Sequence, residues 1–537
     1  MLPLLAPQLV RRFVDDAIAG AGGDTLGLLA AGYLAVAVAA QGARVLTAWL
    51  ASRLAWDGTN RLRERAVAHA LHLDLAFHGR HTPGEMIERV DGDVAAIADF
   101  IVAFLLDAVA SFLLLAGVVV IVCTVDLRIG GVLLGYCVLV GAGMVGAQRL
   151  AVPSEVRSRA ATATMLGAVE EWLAGAEDVR ANGAGRHVVG RFGVVARAWY
   201  RAEFAGSRAG SAVLGGTTVA FAAGTAIVLG LAAWSRQSGA ISVGTAVLLF
   251  QYTLLVRTPF EQLIGQLREL QAALGGFARV GALLAERRSL PDPVDPRPLP
   301  AAGPLGLELG HVDFAYADDR RPVLHDVTLT LAPGEKLGLV GRTGSGKTSI
   351  ARLILRLYDP TAGTVRIGGL DLRDADPVSL RRRVRVVTQD VQLFAASVRD
   401  NLTLFRTDLP DQRLRAVLAE VGLNLRLDDQ VGGLSAGEAQ LLALARAYLA
   451  DPGLVVLDEA SSRLDPATER RVSDSVEKLL AGRTAVLIAH RLSSLSKVDT
   501  IAVVVDGRIV EYGRRTDLLA DPGSRFAAML ETAGVSR

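Results

Sequence analysis

The chain has 537 residues, a formal net charge of +2 and a hydrophobic content of 51%, with a mean hydropathy of +0.36. The near-neutral charge gives no support for a nucleic-acid partner, and the apolar excess is too large for an ordinary soluble enzyme. Cys123 and Cys137 lie in apolar runs without the spacing of metal ligands, so we predict buried membrane residues and neither a disulfide nor a metal site.

The first half of the chain contains five apolar segments that are long enough, or nearly so, to cross a bilayer, which takes about 20 helical residues. They cover residues 25–50, 101–125, 129–147, 209–234 and 241–256. Gly and Ala are frequent in these segments, as the close packing of membrane helices allows. This half is therefore predicted to be a membrane α-helical bundle.

Arginine is concentrated in two long connections, residues 51–99 and 148–208, whereas the short connections 126–128 and 235–240 hold one arginine each. This alternation puts the long connections in the cytoplasm, and their length predicts membrane helices that extend well beyond the bilayer. The same topology requires a span before residue 25, where only an apolar fragment is found. We therefore expect the first span to be truncated and the native chain to begin upstream of Met1.

The last span is followed by a proline-rich stretch, which predicts a semi-rigid linker over residues 289–304. We place the domain boundary in this linker. The predicted transmembrane domain then covers residues 1–288, with about five complete spans, and a second domain covers residues 305–537.

Residues 341–348 match the phosphate-binding loop G-x-x-x-x-G-K-[ST] without a mismatch. An apolar strand pattern over 336–340 precedes the loop, and a helical pattern over 349–357 follows it. The glycines let backbone N–H groups surround a phosphate, at which the helix also aims its positive end. We expect Lys347 to reach the β- and γ-phosphates and Thr348 to hold Mg²⁺. The predicted nucleotide-binding residues are Gly341, Arg342, Thr343, Gly344, Ser345, Gly346, Lys347, Thr348 and Ser349.

A second apolar strand pattern, residues 454–457, ends in the carboxylates of Asp458 and Glu459. Asp458 is expected in the coordination shell of Mg²⁺. An acidic strand end on the surface is the structural alternative. Together with the phosphate-binding loop, this motif predicts an α/β P-loop NTPase domain that binds a nucleotide and Mg²⁺.

These motifs, placed after the apolar spans, resemble an ATP-binding cassette (ABC) half-transporter of the exporter type over nearly the full length of the chain. The resemblance implies the type 1 (type IV) transmembrane fold and ATP-driven transport of an unidentified solute. It further implies that Glu459 is the general base that polarises the attacking water. By the same resemblance, Gln389 contacts Mg²⁺ and this water, His490 bonds the γ-phosphate, and Tyr316 stacks on adenine.

Residues 434–438, Leu-Ser-Ala-Gly-Glu, occupy the place of the family signature, which is usually Leu-Ser-Gly-Gly-Gln. By resemblance, Ser435 and Gly437 contact the ATP bound by a second subunit. Locally, Ser435 and Glu438 form the pattern of a capping box that opens an apolar helix over 439–449, which explains both residues without a ligand. The negative charge of Glu438 weakens a phosphate site unless its carboxylate turns back onto the cap. Two assemblies therefore remain as alternatives: a homodimer, and a heterodimer with two unequal nucleotide sites.

The resemblance also implies that residues 77–89 dock onto the ATPase domain and that Asp465 touches the opposite nucleotide site, although Asp465 is equally explained as a helix N-cap. The implied partners are a second half-transporter, the lipid bilayer and an unknown solute, without nucleic acid. The expected location is the inner (plasma) membrane, with the ATPase domain in the cytoplasm. Export is favoured; the alternatives are an importer of the same architecture, a soluble ABC ATPase, or a regulatory membrane ATPase without transport.

Overall fold

A computed structural model describes residues 2–237, 239–316, 321–458, 466–489 and 492–532. The chain divides into two compact units. The first comprises Met1–Leu71 and Pro83–Glu286, and the second comprises His72–Thr82 and Arg287–Arg537. The first unit is helical, whereas the second combines helices with two β-sheets.

Helices account for most of the chain up to residue 285. In order they are α1 (Leu5–Ile18), α2 (Gly23–His72), α3 (Leu75–Arg80), α4 (Pro83–Ile87), α5 (Asp93–Ala103), α6 (Val109–Val125), α7 (Leu127–Ala174), α8 (Ala176–Ala181), α9 (Gly185–Gln237) and α10 (Val243–Ala285). Two π-helical turns, Glu88–Gly92 and Phe104–Ala108, connect α4 to α5 and α5 to α6. Helix α3 belongs to the second compact unit.

Five helical segments in the described part of the chain are long and apolar enough to cross a membrane. They are Gly23–His72, Pro83–Val125, Leu127–Ala174, Gly185–Gln237 and Val243–Leu263. The predicted membrane bundle is thereby confirmed. Helices α2, α7 and α9 contain 50, 48 and 53 residues, far more than the roughly 20 that a bilayer requires. The prediction that these helices extend beyond the bilayer therefore agrees with their lengths.

The tight turn between α6 and α7 has a local cause. Asp126 adopts an extended conformation, and its carboxylate accepts hydrogen bonds from the backbone N–H groups of Arg128 and Ile129. This N-cap ends one apolar helix and starts the next within a single residue. The two helices then share an apolar core to which Val118, Ile129 and Leu133 contribute.

The second unit contains the strands β1 (Leu307–Ala315), β2 (Pro322–Leu331), β3 (Lys336–Val340), β4 (Ala362–Ile367), β5 (Leu370–Asp371), β6 (Val384–Val387), β7 (Leu454–Asp458), β8 (Thr484–Ile488), β9 (Thr500–Val505) and β10 (Arg508–Arg514). Within the described residues, one sheet has the order β2-β1-β4-β5 and is antiparallel. The other has the order β10-β9-β3-β8-β7-β6; its strands β9, β3, β8, β7 and β6 are parallel, and β10 is antiparallel to β9. The central parallel strands are buried almost continuously, as expected when both faces of a sheet are covered.

The helices of this unit are α11 (Lys347–Ile354), α12 (Pro377–Arg383), α13 (Val398–Thr403), α14 (Asp411–Glu420), α15 (Ala436–Tyr448), α16 (Pro466–Leu480), α17 (Arg515–Ala520) and α18 (Arg525–Thr532). Strand β3 has the bounds expected from sequence. Helix α11 ends three residues before the predicted end, because Arg356 adopts a left-handed conformation with φ of 46°, which breaks a right-handed helix.

Candidate nucleotide site

Several of the predicted site residues lie at one edge of the larger sheet, at the carboxyl ends of its parallel strands. Strands β3, β8, β7 and β6 are parallel neighbours, so their carboxyl ends meet at this edge, where ligands of open α/β sheets bind. The phosphate-binding loop follows β3, Asp458 ends β7, and Gln389 lies in the turn after β6. The register of the strands supports this grouping. Ile488 of β8 pairs with Leu339 of β3 on one side and with Asp458 of β7 on the other. Glu459 and His490 lie outside the described residues.

The loop after β3 requires glycine at two positions. Gly341 has φ of 156°, and a Cβ there would lie 2.2 Å from the carbonyl oxygen of Val504. Gly346 has φ of 107°, and a Cβ there would lie 2.7 Å from Cδ2 of Leu324. Larger residues would push the loop away from β9, which carries Val504, and from β2, which carries Leu324. The loop therefore forms a cradle that is lined mainly by backbone.

Two polar side chains are buried in this cradle. Lys347 is 4% exposed, and its ammonium group donates hydrogen bonds to the carbonyl oxygens of Gly341 at 2.7 Å and Arg342 at 2.9 Å. Ser345 is also buried, and its Oγ has no hydrogen-bond partner within the described chain. A buried cation beside an unsatisfied hydroxyl at a helix start has the chemistry that a phosphate group satisfies.

The residues predicted to hold Mg²⁺ all supply oxygen atoms, which this ion prefers. Asp458 is half-buried at the end of β7, whereas Thr348 and Gln389 are exposed. The described residues contain no group of three or more His, Cys, Asp or Glu side chains that could hold a metal ion. If Mg²⁺ binds at this edge of the sheet, Asp458, Thr348 and Gln389 would supply its protein oxygen ligands.

Tyr316, the predicted stacking residue, stands beside the start of α11. Its hydroxyl lies 3.0 Å from Oγ of Ser349 and accepts a hydrogen bond from Nη1 of Arg352 at 2.9 Å. Arg352 could not be identified from the sequence, because no motif contains it. The available signal was its spacing of three residues from Ser349, which puts both side chains on one helix face.

The signature segment opens α15 with a complete capping box. The backbone N–H and the hydroxyl of Ser435 both donate to Oε2 of Glu438 at 2.9 Å, and the Glu438 N–H donates to Oγ of Ser435 at 3.3 Å. These hydrogen bonds hold the pKa of Glu438 below its usual value. The carboxylate is thus turned back onto its cap, and the helix starts at Ala436, three residues earlier than expected. Gly437 is buried, whereas Asp465 lies outside the described residues.

Two family models match the chain. One describes the ABC transporter transmembrane region and covers residues 1–260. The other describes the ABC transporter itself and covers residues 324–462. The chain belongs to the ABC transporter family. The resemblance identified from sequence is therefore confirmed, with the membrane region and the nucleotide-binding region in the predicted order.

This ABC transporter chain is similar to several known proteins. A multidrug efflux ATP-binding/permease protein of Mycobacterium tuberculosis is 32% identical over 86% of this chain and 39% of its own length. A Bacillus subtilis ATP-binding/permease protein, provisionally named for multidrug export, is 28% identical over 96% of this chain and 92% of its own length. This chain thus spans about two fifths of the mycobacterial relative.

A solved structure has the same fold. A bacterial Atm1-family ABC exporter with ATP bound matches with a TM-score of 0.80 and 24% identity, over 99% of this chain and 96% of the other. Such a likeness confirms the predicted fold class, a helical membrane bundle followed by a P-loop NTPase domain. The family and the apolar helices also make this a membrane protein.

Proposed function

We propose that this chain is one half of an ATP-driven membrane transporter. The observation that carries the proposal is the presence, on one chain, of a preformed phosphate cradle with buried Lys347 and membrane-length helices. We further propose the division predicted from sequence: a transmembrane domain at 1–288, a linker at 289–304 and an ATPase domain at 305–537. The membrane-length helices argue against the soluble alternative.

In this proposal the ATPase domain binds ATP and Mg²⁺ at the edge of the larger sheet. Backbone N–H groups of the loop and the Lys347 ammonium group stabilise the phosphate charge, and the Ser345 hydroxyl donates a hydrogen bond to a phosphate oxygen. Thr348, Asp458 and Gln389 would hold Mg²⁺, which would offset the negative charge of the phosphates. Glu459 accepts a proton from the attacking water, and His490 bonds the γ-phosphate. The remaining proposed phosphate contacts are Gly341, Arg342, Thr343, Gly344, Gly346 and Ser349.

The proposed partner is a second half-transporter, identical or related, which presents Ser435 and Gly437 to the ATP of its neighbour. ATP drives the cycle because it binds the closed pair more tightly than the open one, and hydrolysis then resets the helices. We propose export from the cytoplasm across the inner membrane, in keeping with the names of the mycobacterial and Bacillus relatives. A cavity of about 520 Å³ between α7 and α9 is lined by apolar side chains, including Leu139, Val140, Met144 and Ile227, which favours an apolar or amphipathic solute.

Reconstitution into liposomes tests both the proposed ATP hydrolysis and the proposed transport. The purified chain, alone and with any co-purifying half-transporter, is placed in liposomes containing the fluorescent amphipath Hoechst 33342. We expect Mg²⁺-dependent ATP hydrolysis and ATP-dependent dye movement, and the loss of both in the Glu459→Gln variant. Absence of hydrolysis in every preparation would contradict the ATPase assignment. Hydrolysis without movement of this dye or of a panel of apolar solutes would instead favour a regulatory membrane ATPase.

A further inference from the structure

The hydroxyl of Tyr316 is held by two side chains of α11. Oγ of Ser349 lies 3.0 Å from it, and Nη1 of Arg352 donates to it at 2.9 Å. The guanidinium carbon of Arg352 also lies 5.8 Å from the centre of the Tyr316 ring, within the range of a cation–π contact. Because α11 begins at Lys347, these contacts tie the ring to the same short helix that carries the phosphate-binding lysine.

The ring also contacts aromatic neighbours outside α11. Phe314 and Tyr358 meet it at interplanar angles of 79° and 88°, with ring centres 4.7 and 5.2 Å away. Phe314 belongs to a core cluster of the second unit, and Tyr316 and Tyr358 pack against this cluster. Contacts with the core and contacts with α11 thus both restrain Tyr316.

We infer that Ser349 and Arg352 are positioning residues that set the distance between the base-stacking ring and the phosphate cradle. This inference rests on the proposed nucleotide site. A nucleotide can stack its base on Tyr316 and place its phosphates in the cradle only if the distance from the ring to the cradle matches the length of the nucleotide. Because contacts with α11 hold the ring, this distance is set before the nucleotide binds. Binding then avoids the entropy cost of ordering the Tyr316 side chain. Arg352 therefore determines how strongly the chain prefers a nucleotide to a bare phosphate chain.

The test compares ATP with inorganic triphosphate by isothermal titration of the full-length chain in lipid nanodiscs, with EDTA present to prevent turnover. Arg352→Met keeps the aliphatic stem and removes both contacts to Tyr316. We expect it to raise the Kd of ATP about five- to tenfold and the Kd of triphosphate less than about twofold. Tyr316→Phe keeps the ring, removes the hydroxyl and should produce the same selective loss. Arg382→Met, at an exposed position on α12, is the matched control and should change neither Kd.

Two results would overturn the inference. An equal rise in both Kd values would show that Arg352 only supports α11, and unchanged ATP affinity would show that the tie to Tyr316 has no effect on binding. If Arg352→Met does not fold, as judged by its thermal unfolding, Tyr316→Phe decides by the same criteria. A wild-type chain that binds neither ligand would refute the proposed nucleotide site itself. If the wild-type chain binds ATP and triphosphate but the variants change both Kd values equally, only this inference is refuted and the nucleotide site stands.

Discussion

The carboxylate of Asp74 accepts hydrogen bonds from the backbone N–H of Ser289 at 2.5 Å and from the Ser289 hydroxyl at 2.6 Å. It also accepts from the N–H groups of Phe77 and Leu290, each at 3.2 Å, so the same side chain caps α3. Asp74 is 8% exposed. One buried carboxylate thus fastens the segment predicted to dock on the ATPase to the start of the proline-rich linker.

Replacing Asp74 should destabilise the second unit. Asp74→Ala leaves the N–H groups of Ser289 and Phe77 without their acceptor, and we expect a loss of about 1–3 kcal/mol in the free energy of unfolding. Urea unfolding of the full-length chain in detergent measures this loss. Asp292→Ala, which removes a largely exposed carboxylate paired with Arg288, is the control and should cost less than about 1 kcal/mol. Equal costs for the two variants would contradict the assigned role.

The same site predicts a pH dependence. Burial alone would raise the pKa of Asp74, but the hydrogen bonds from Ser289, Phe77 and Leu290 outweigh it and hold its pKa below the usual value. A lowered pKa in the folded state means that the stabilisation is fully present above the unfolded pKa of about 4. It is lost as the pH falls through the folded pKa. Unfolding measured between pH 7 and pH 3 should therefore show a smaller gap between wild type and Asp74→Ala at the acidic end.

Lys347→Ala should weaken nucleotide binding. The ammonium group is the buried cation of the cradle, and charge-assisted hydrogen bonds contribute about 1.5–3 kcal/mol each. We expect the Kd of ATP to rise at least about tenfold in isothermal titration. Lys478→Ala, an exposed position on α16, should leave it unchanged. An unaltered Kd in Lys347→Ala would rule out the phosphate-binding role of the loop.

Glu459→Gln should separate binding from turnover. The amide keeps the size of the side chain but cannot accept the proton of the attacking water, a role that contributes about 10²–10⁴-fold in rate. We expect ATP affinity within about twofold of wild type and hydrolysis reduced by at least about 10²-fold in a phosphate-release assay. Wild-type hydrolysis in a preparation where both halves carry the substitution would disprove the assignment of the general base.

Glu438→Gln tests whether the altered signature limits the site of the partner subunit. The Ser435 hydroxyl now donates to the Glu438 carboxylate, which holds a negative charge beside it. Removing this charge should lower the ATP concentration needed for half-maximal hydrolysis by the assembled transporter, and should cost about 0.5–1 kcal/mol of helix capping. Steady-state kinetics and thermal unfolding measure the two effects. A higher or unchanged ATP requirement would show that the carboxylate does not influence the neighbouring nucleotide.

Another prediction concerns the ion pair of Asp93 and Arg279, which joins α5 to α10. Asp93 is 2% exposed, whereas the Arg279 side chain is 56% exposed, and Nε of Arg279 lies 2.9 and 3.1 Å from the two carboxylate oxygens. Removing the arginine leaves a buried carboxylate without its counter-charge, so Arg279→Met should cost about 2–3 kcal/mol and Asp93→Asn less. The double variant should be more stable than Arg279→Met alone. Additive losses in urea unfolding would argue against this pairing.

Features encoded by neighbouring residues could be predicted from the sequence. Strand β3 has the expected bounds because an apolar run before a glycine loop is a local pattern. The capping box at Ser435 forms as expected because its partners are three residues apart. The membrane helices follow from their length and apolar composition. Two helix boundaries were wrong by three residues, at the end of α11 and the start of α15, because periodicity does not encode the backbone conformation of Arg356 or the position of a cap.

The sequence by itself determined the family, the membrane-length helices and the candidate phosphate-binding loop, since each depends on composition or short spacing. Only the tertiary structure decided which distant residues share a site. The meeting of the Gly341 loop with Asp458 and Gln389 depends on the strand order β3-β8-β7-β6, which no local pattern contains. The contacts of Tyr316 with Arg352 and of Asp74 with Ser289 join residues 36 and 215 positions apart. Hydrogen bonds over such separations form only after the elements pack, because side-chain periodicity specifies a buried face but not its partner.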